Sequence, residues 1–263
     1  MTLETLVSTM YQNDYSLLEK MNIQSDAIIV NQCNVNEFAE FSYKGYRVKF
    51  MSFAERGIGL SRNNALLRAS SDISLFADDD VVYIDGYKDI IIKAFEENRQ
   101  ADVIVFNVPS TNPERPTYII PKHSRVRWYN CQRYGAVKIA IRTEQLKHAR
   151  ICFSLLFGGG AKYSCGEDSL FIIDCINKGL NVYANPTIIG YVNQESSSWF
   201  AGYNEKYFFD QGLLFACVSK RWAKILCLQF LVRHYKMFRK DISIKKSFKH
   251  MIEGVKTFTR QKQ

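Results

Sequence analysis

The sequence predicts an α/β protein built on a mixed, mainly parallel sheet flanked by helices, with a helical extension at its C-terminus. Three observations predict it. Short apolar runs alternate with helical periodicities from Leu3 to Val192, the pattern of strands joined by crossover helices. Beyond Tyr203 the periodicity is helical almost to the end. The apolar run Ile73–Ala77 stops on three consecutive aspartates, as a buried strand does where its carboxyl end opens onto a crevice. With 263 residues, 47% of them apolar and 23% charged, the chain can bury a large core, which excludes a disordered, collagenous or low-complexity protein. The expected division is an α/β unit over 1–202 and a basic amphipathic helical extension over 203–263.

Taken in order, Leu3–Thr9 reads as a strand opening into the polar turn Tyr11–Asp14, followed by a short helix over Ser16–Met21. Strands follow at Asp26–Val30 and Tyr46–Met51, then a helix over Ser61–Ala69, started by glycines and capped by Ser61. After the strand Ile73–Ala77, Ile90, Ile91, Ala94 and Phe95 give Gly86–Asn98 a helical period, and Val103–Val108 is the next strand. Pro, Thr, Asn and Arg over Pro109–Pro121 mark a loop excursion from the sheet. A helix over Glu167–Asn177 follows the Gly158-Gly159-Gly160 run, and short strands lie at Asn181–Tyr183 and Thr187–Val192. There are no internal repeats.

The net charge of +9 is unevenly placed. Lys220–Gln263 carries 13 Lys/Arg against Asp241 and Glu253, so the first 219 residues are net −2. Seven cysteines without a C-x-x-C pair read as reduced thiols and argue against structural zinc. No apolar stretch approaches the roughly 18–20 residues of a membrane span, and the N-terminal residues lack a basic segment followed by an apolar one, so neither a span nor secretion is expected.

Asp78, Asp79 and Asp80 repel one another unless something neutralises them. A divalent cation with a diphosphate as co-ligand, Mg²⁺ or Mn²⁺ in character, meets that need, and a solvated acidic turn is the plain alternative. In Glu55–Ala65 the glycines precede a helix start, where Arg62 can pair with a phosphate or stack near a base; an ordinary capped helix is the alternative. Ser164 and Glu167 have the spacing of a capping box. Asp168, in the first turn, either complements the helix dipole or acts as a general base at the end of a glycine-rich loop. Trp199, Phe200 and Tyr203 are either sugar-stacking rings or core anchors.

In this order and spacing, the segments resemble the family 2 glycosyltransferases, with a nucleotide-sugar-binding fold of the GT-A type, over roughly Leu3–Val192. The likeness rests on Val7-Ser8-Thr9, the Gly-x-Ser-Arg-Asn stretch Gly59–Asn63, the Asp-x-Asp at Asp78–Asp80 and the pair Glu167-Asp168. It implies that Asp78 and Asp80 contact the donor's ribose and diphosphate through Mn²⁺ or Mg²⁺. By the same likeness, Ser8 and Thr9 line the nucleotide pocket beside Asp79, Arg62 lies near base or phosphates, and Asp168 is the base of an inverting transfer. Glu167 and Trp199 are expected on the acceptor side. Where the family often has an acidic cluster after its second strand this chain has Asn31-Gln32-Cys33, so Asn31 or Gln32 is expected to supply the hydrogen bonds. Processive members carry Gln-x-x-Arg-Trp; here Arg221-Trp222 lacks the Gln, which implies transfer of one sugar per acceptor.

The reading that results is a metal-dependent, hexosyltransferase-type enzyme of bacterial cell-surface polysaccharide synthesis. It moves one sugar from a nucleoside-diphosphate donor, UDP-linked by preference, to a saccharide or lipid-linked saccharide. From Arg221 to Lys240, aromatic and aliphatic residues interleave with Lys and Arg, so an anionic membrane surface is the expected partner of 221–263, in preference to nucleic acid. The expected location is cytoplasmic and peripheral on the inner face of the cell membrane. A nucleotidyl- or phosphotransferase using the same aspartates is one competing reading. A non-catalytic membrane- or nucleic-acid-binding module is the other.

Overall fold

The computed structural model describes residues 1–194 and 202–260, the side chains of Thr259 and Arg260 excepted. The chain opens β1 (Leu3–Met10), α1 (Leu17–Lys20), β2 (Asp26–Gln32), β3 (Glu37–Tyr43), β4 (Tyr46–Phe53) and α2 (Ile58–Arg68). It continues through β5 (Ile73–Asp78), β6 (Val81–Tyr83), α3 (Tyr87–Glu97), β7 (Val103–Asn107), β8 (Ser124–Arg125), β9 (Ile139–Arg142) and α4 (Thr143–His148). It closes with α5 (Glu167–Asn177), β10 (Val182–Ile188), β11 (Gly190–Val192), α6 (Glu205–Val218), α7 (Ala223–Phe238) and α8 (Ile244–Arg260).

Nine strands form one sheet in the order β3-β4-β2-β1-β5-β9-β7-β10-β8, and β11 pairs with β6 in a small ribbon. β4, β2, β1 and β5 run parallel, as do β7 and β10, while β9 lies antiparallel between β5 and β7. β1, β2 and β5 are buried along most of their length because both sheet faces are covered, which is why they read as apolar runs. On one face Leu17 and Leu18 of α1 and Ile91 and Phe95 of α3 pack against Val7, Ile29 and Leu75; on the other, α2, α4 and α5 cover Leu6, Phe76 and Val105.

Four strands escape the apolar-run criterion. β3 is an edge strand of alternating, largely exposed residues, joined to β4 by a two-residue turn in which Lys44 and Gly45 both have positive φ. β6 and β8 are too short to leave a period. β9 and α4 were equally silent in sequence, being a four-residue strand and a six-residue helix with no turn signal between them.

α6, α7 and α8 fold into a helical unit around Phe208, Phe215, Cys227, Leu231, Phe238 and Met251. α6 and α8 cross so closely that a Cβ on Gly212 would strike the Met251 backbone and one on Gly254 the Phe209 carbonyl, so only glycine allows that approach. Leu213 and Leu214 of α6 meet Phe157 and Tyr163 of the α/β unit, which fixes the extension against it. All seven cysteines are free thiols. Among the described residues, no helix is long and apolar enough to cross a membrane.

Candidate active site

The parallel strands bring their carboxyl ends to one cleft of about 810 Å³, whose lining includes Ser8, Thr9, Gln32, Arg62, Asp78, Asp79, Asp80, Glu167 and Asp168. β1 sits between β2 and β5, and the chain leaves it in opposite directions to reach them, so the cleft lies where the strand order reverses.

Arg62 organises the floor. Its guanidinium is 3% exposed and bridges two elements: Nη2 donates to both oxygens of Asp78 (2.9 and 3.0 Å), and Nη1 donates to Asp168 (2.8 Å) and Glu167 (3.2 Å). The face of Phe153 lies 5.2 Å from Cζ, backed by Phe76 and Phe171. One strand end and one helix start are thereby tied by a single cation facing three carboxylates. Burial works against the charge on Arg62, but Asp78, Asp168 and Glu167 hold its pKa above the ordinary value. Burial, followed by the charge of Glu167, pushes Asp168 up to about 7, with Arg62 opposing. A carboxyl group poised there exchanges protons near neutrality.

The local chemistry corrects two expectations about caps. The helix carrying Arg62 begins at Ile58 with Gly57 as N-cap, and Ser61, one turn in, instead donates its hydroxyl to Ser8 Oγ at 2.9 Å. Ser164 and Glu167 form no capping box: Gly166 is the N-cap of α5, and the Ser164 N–H and hydroxyl both donate to Asp210 on α6 (3.0 and 2.9 Å). Asp210 is also paired with Lys206, so its buried carboxylate draws Ser164 away from α5. Glu167 is left to Arg62, and Gly158 packs so tightly on it, at φ +101°, that a Cβ would meet Glu167 Cδ at 2.7 Å.

On the opposite wall, Thr9 donates to Asp79 Oδ2 at 2.5 Å, and Gln32 Oε1 accepts the Gly57 N–H at 2.8 Å. Asn31, by contrast, is committed internally to Gln12 and Ser52, which leaves Gln32 as the residue of that pair facing the cleft. Trp199 and Phe200 lie outside the described residues. The cleft also takes Tyr203, which packs on the helical core as well, and Glu114, Arg115, Pro116, Gln194 and Met237, which sequence reasoning did not assign to it. The Pro-rich loop was visible as an excursion, but no local signal said that it returns over the strand ends.

Among the described residues Asp80 Oδ1 is buried without a hydrogen-bond partner, and burial together with Asp78 and Asp79 pushes the carboxyl up to about 7. An orphaned, crowded carboxylate oxygen at a strand end suits a hard cation. Among the described residues no three His, Cys, Asp or Glu side chains converge as a metal cage. Mg²⁺-type sites often draw one or two protein carboxylates and complete their shell from phosphate and water. The residues fit a cation that arrives with a diphosphate.

The profile described as Glycosyl transferase family 2 matches residues 16–152, just over half of the chain. No curated protein matches it in sequence. Among solved structures, it resembles S. aureus TarS 1-349 in complex with UDP-GlcNAc, at 16% identity and a TM-score of 0.67 over 98% of this chain and 80% of that one. The same protein in complex with UDP gives a TM-score of 0.64 at 16% identity, covering 98% and 83% of the two chains. Against a further structure of S. aureus TarS, the chain spans 50% of the other's length at 15% identity, with a TM-score of 0.64 over 98% of this chain.

Proposed function

The chain belongs to glycosyl transferase family 2, and from that premise we propose that it moves one sugar, with inversion, from a nucleoside-diphosphate sugar to a saccharide or lipid-linked saccharide in surface-polysaccharide synthesis. The observation that carries this reading is the cluster at Arg62, which joins the end of the Asp78–Asp80 strand to Asp168 across one cleft. The TarS structures with UDP-GlcNAc and UDP support a UDP-linked donor by fold likeness. The donor's nucleotide lies along Ser8, Thr9 and Gln32, with its diphosphate toward Asp78 and Asp80. Bound at Asp80 with Asp78 beside it, Mn²⁺ or Mg²⁺ supplies positive charge for the diphosphate leaving group.

Asp168 then accepts the proton of the acceptor hydroxyl, whose oxygen forms the new bond to the anomeric carbon as the bond to the nucleoside diphosphate breaks on the opposite face. Glu167 shares Nη1 of Arg62 with Asp168 and belongs to the acceptor side. The test is product analysis with UDP-sugars and glycan acceptors. Release of nucleoside diphosphate with sugar transfer, abolished in D168N and D80N, is expected; release of pyrophosphate refutes the assignment.

A second proposal concerns the extension. The extension packs as a helical unit, but the outer side of α7 leaves Ile225 (54%), Leu228 (50%) and Val232 (72%) exposed. Lys224, Lys236 and Arg239 are exposed on the same helix or its cap. An apolar row edged by cations fits an anionic bilayer, supporting a peripheral position on the inner face of the cell membrane.

A further inference from the structure

Between Pro116 and Gly135 the chain carries Lys122, Arg125, Arg127 and Arg133, together with His123, and no Asp or Glu. Among the described residues none of these cations, nor Arg115 before them, pairs with a carboxylate. Their partners are neutral. Arg125 donates to Asn181 and the Tyr183 hydroxyl, and Arg133 lies 4.9 Å from the centre of the Tyr118 ring. Exposed rings accompany them: Tyr118, Trp128 and Tyr129, the last two edge to face at 5.8 Å.

The segment begins and ends at the cleft. Arg115 and Pro116 line it, and at the far end the Ala136 N–H donates to the Asp168 carboxylate while the Cβ position of Gly135 lies 3.6 Å from Asp168 Oδ2. Its course between is fixed. Asn107 holds the N–H and C=O of Ile120, buried Lys138 donates to the Tyr118 carbonyl at 2.6 Å, and Ser124–Arg125 adds the sheet's edge strand.

Resting on the transferase reading for its place in the reaction, we propose that Arg115–Gly135 is the acceptor platform and that it takes an anionic saccharide. Sugar rings offer apolar faces to Tyr118, Trp128 and Tyr129, while phosphate, sulfate or carboxylate substituents meet arginines that have no carboxylate of their own. A neutral glycan would use the rings alone and leave those cations unanswered.

The test is fluorescence anisotropy of the full chain with labelled dextran sulfate and labelled neutral dextran, each at low and high salt. The variants are K122Q/R127Q/R133Q, W128A/Y129A and, as the control for bulk basicity, K20Q/K93Q/R99Q, three exposed cations outside the cleft and the helical extension. Sulfated dextran is expected to bind and to weaken with salt, neutral dextran to bind about ten-fold more weakly, and the first triple variant to lose about ten-fold while the control stays within about two-fold. Equal loss in the control, or no preference for the sulfated chain, overturns the proposal. UDP titration with Mn²⁺ on the same samples separates the two readings. Unchanged UDP affinity with lost dextran sulfate binding supports the platform, whereas a wild-type chain that binds dextran sulfate through this segment but no UDP refutes the transferase reading and with it the acceptor role.

Discussion

Replacing Arg62 by methionine keeps the stem against Phe153 but strips from Asp78, Glu167 and Asp168 the only cation that pairs with them among the described residues. Four hydrogen bonds from a guanidinium 3% exposed are lost at once. Removing one partner of a buried ion pair costs about 3–5 kcal/mol, and in a domain of this size that lowers Tm by roughly 6–20 °C. The loss shrinks toward pH 5, because Asp168, which takes up a proton there, no longer needs the cation. Arg62 opposes the rise of the Asp168 pKa, so in R62M the group moves above about 7 and the acidic limb of kcat/KM moves to higher pH. With Asp168 no longer held in place, turnover falls about 100-fold. R62K keeps a charge but not the planar fork, so it holds the limb near its original position with an intermediate loss of rate. The assays are thermal unfolding at pH 5 and 7.5 and sugar transfer across pH 5.5–9. An R62M protein with unaltered Tm and an unmoved acidic limb would refute the reasoning.

Three further outcomes are expected. Because folding raises the Asp168 pKa from 3.8 to about 7, the native state binds the extra proton between those values, so this group's contribution to stability falls as pH rises from 4 to 7; D168N flattens that part of a Tm-against-pH series and abolishes transfer. Adding Mn²⁺ with UDP raises Tm in the wild type, and chelator reverses it, whereas D80N, lacking the unpartnered charge, shows no metal-dependent rise. Cosedimentation with vesicles containing anionic lipid weakens with salt, and I225E/V232E lowers it about ten-fold while leaving UDP affinity unchanged; equal binding to neutral vesicles contradicts the membrane proposal.

The parallel strands were legible because they are buried on both faces, and α5 was found at its observed bounds because its apolar period begins just after Gly166. The aspartates were legible for the same reason: they end the buried strand run Ile73–Ala77. What sequence did not disclose were long-range partnerships. Arg62 read as a residue for phosphate or base, yet three carboxylates from two distant segments surround it. Ser164 carried a local capping pattern that a buried aspartate 46 residues away outcompetes. The walls contributed by Arg115 and Met237 depend on how a loop and the helical unit fold back, which no local periodicity encodes.

The most direct test of the donor site is calorimetric titration of UDP, GDP and CDP into wild type and D80N, each with and without Mn²⁺. Binding of one nucleoside diphosphate, UDP, only with metal and only in the wild type is the predicted result. No binding of any of the three, or equal binding in D80N without metal, would contradict it.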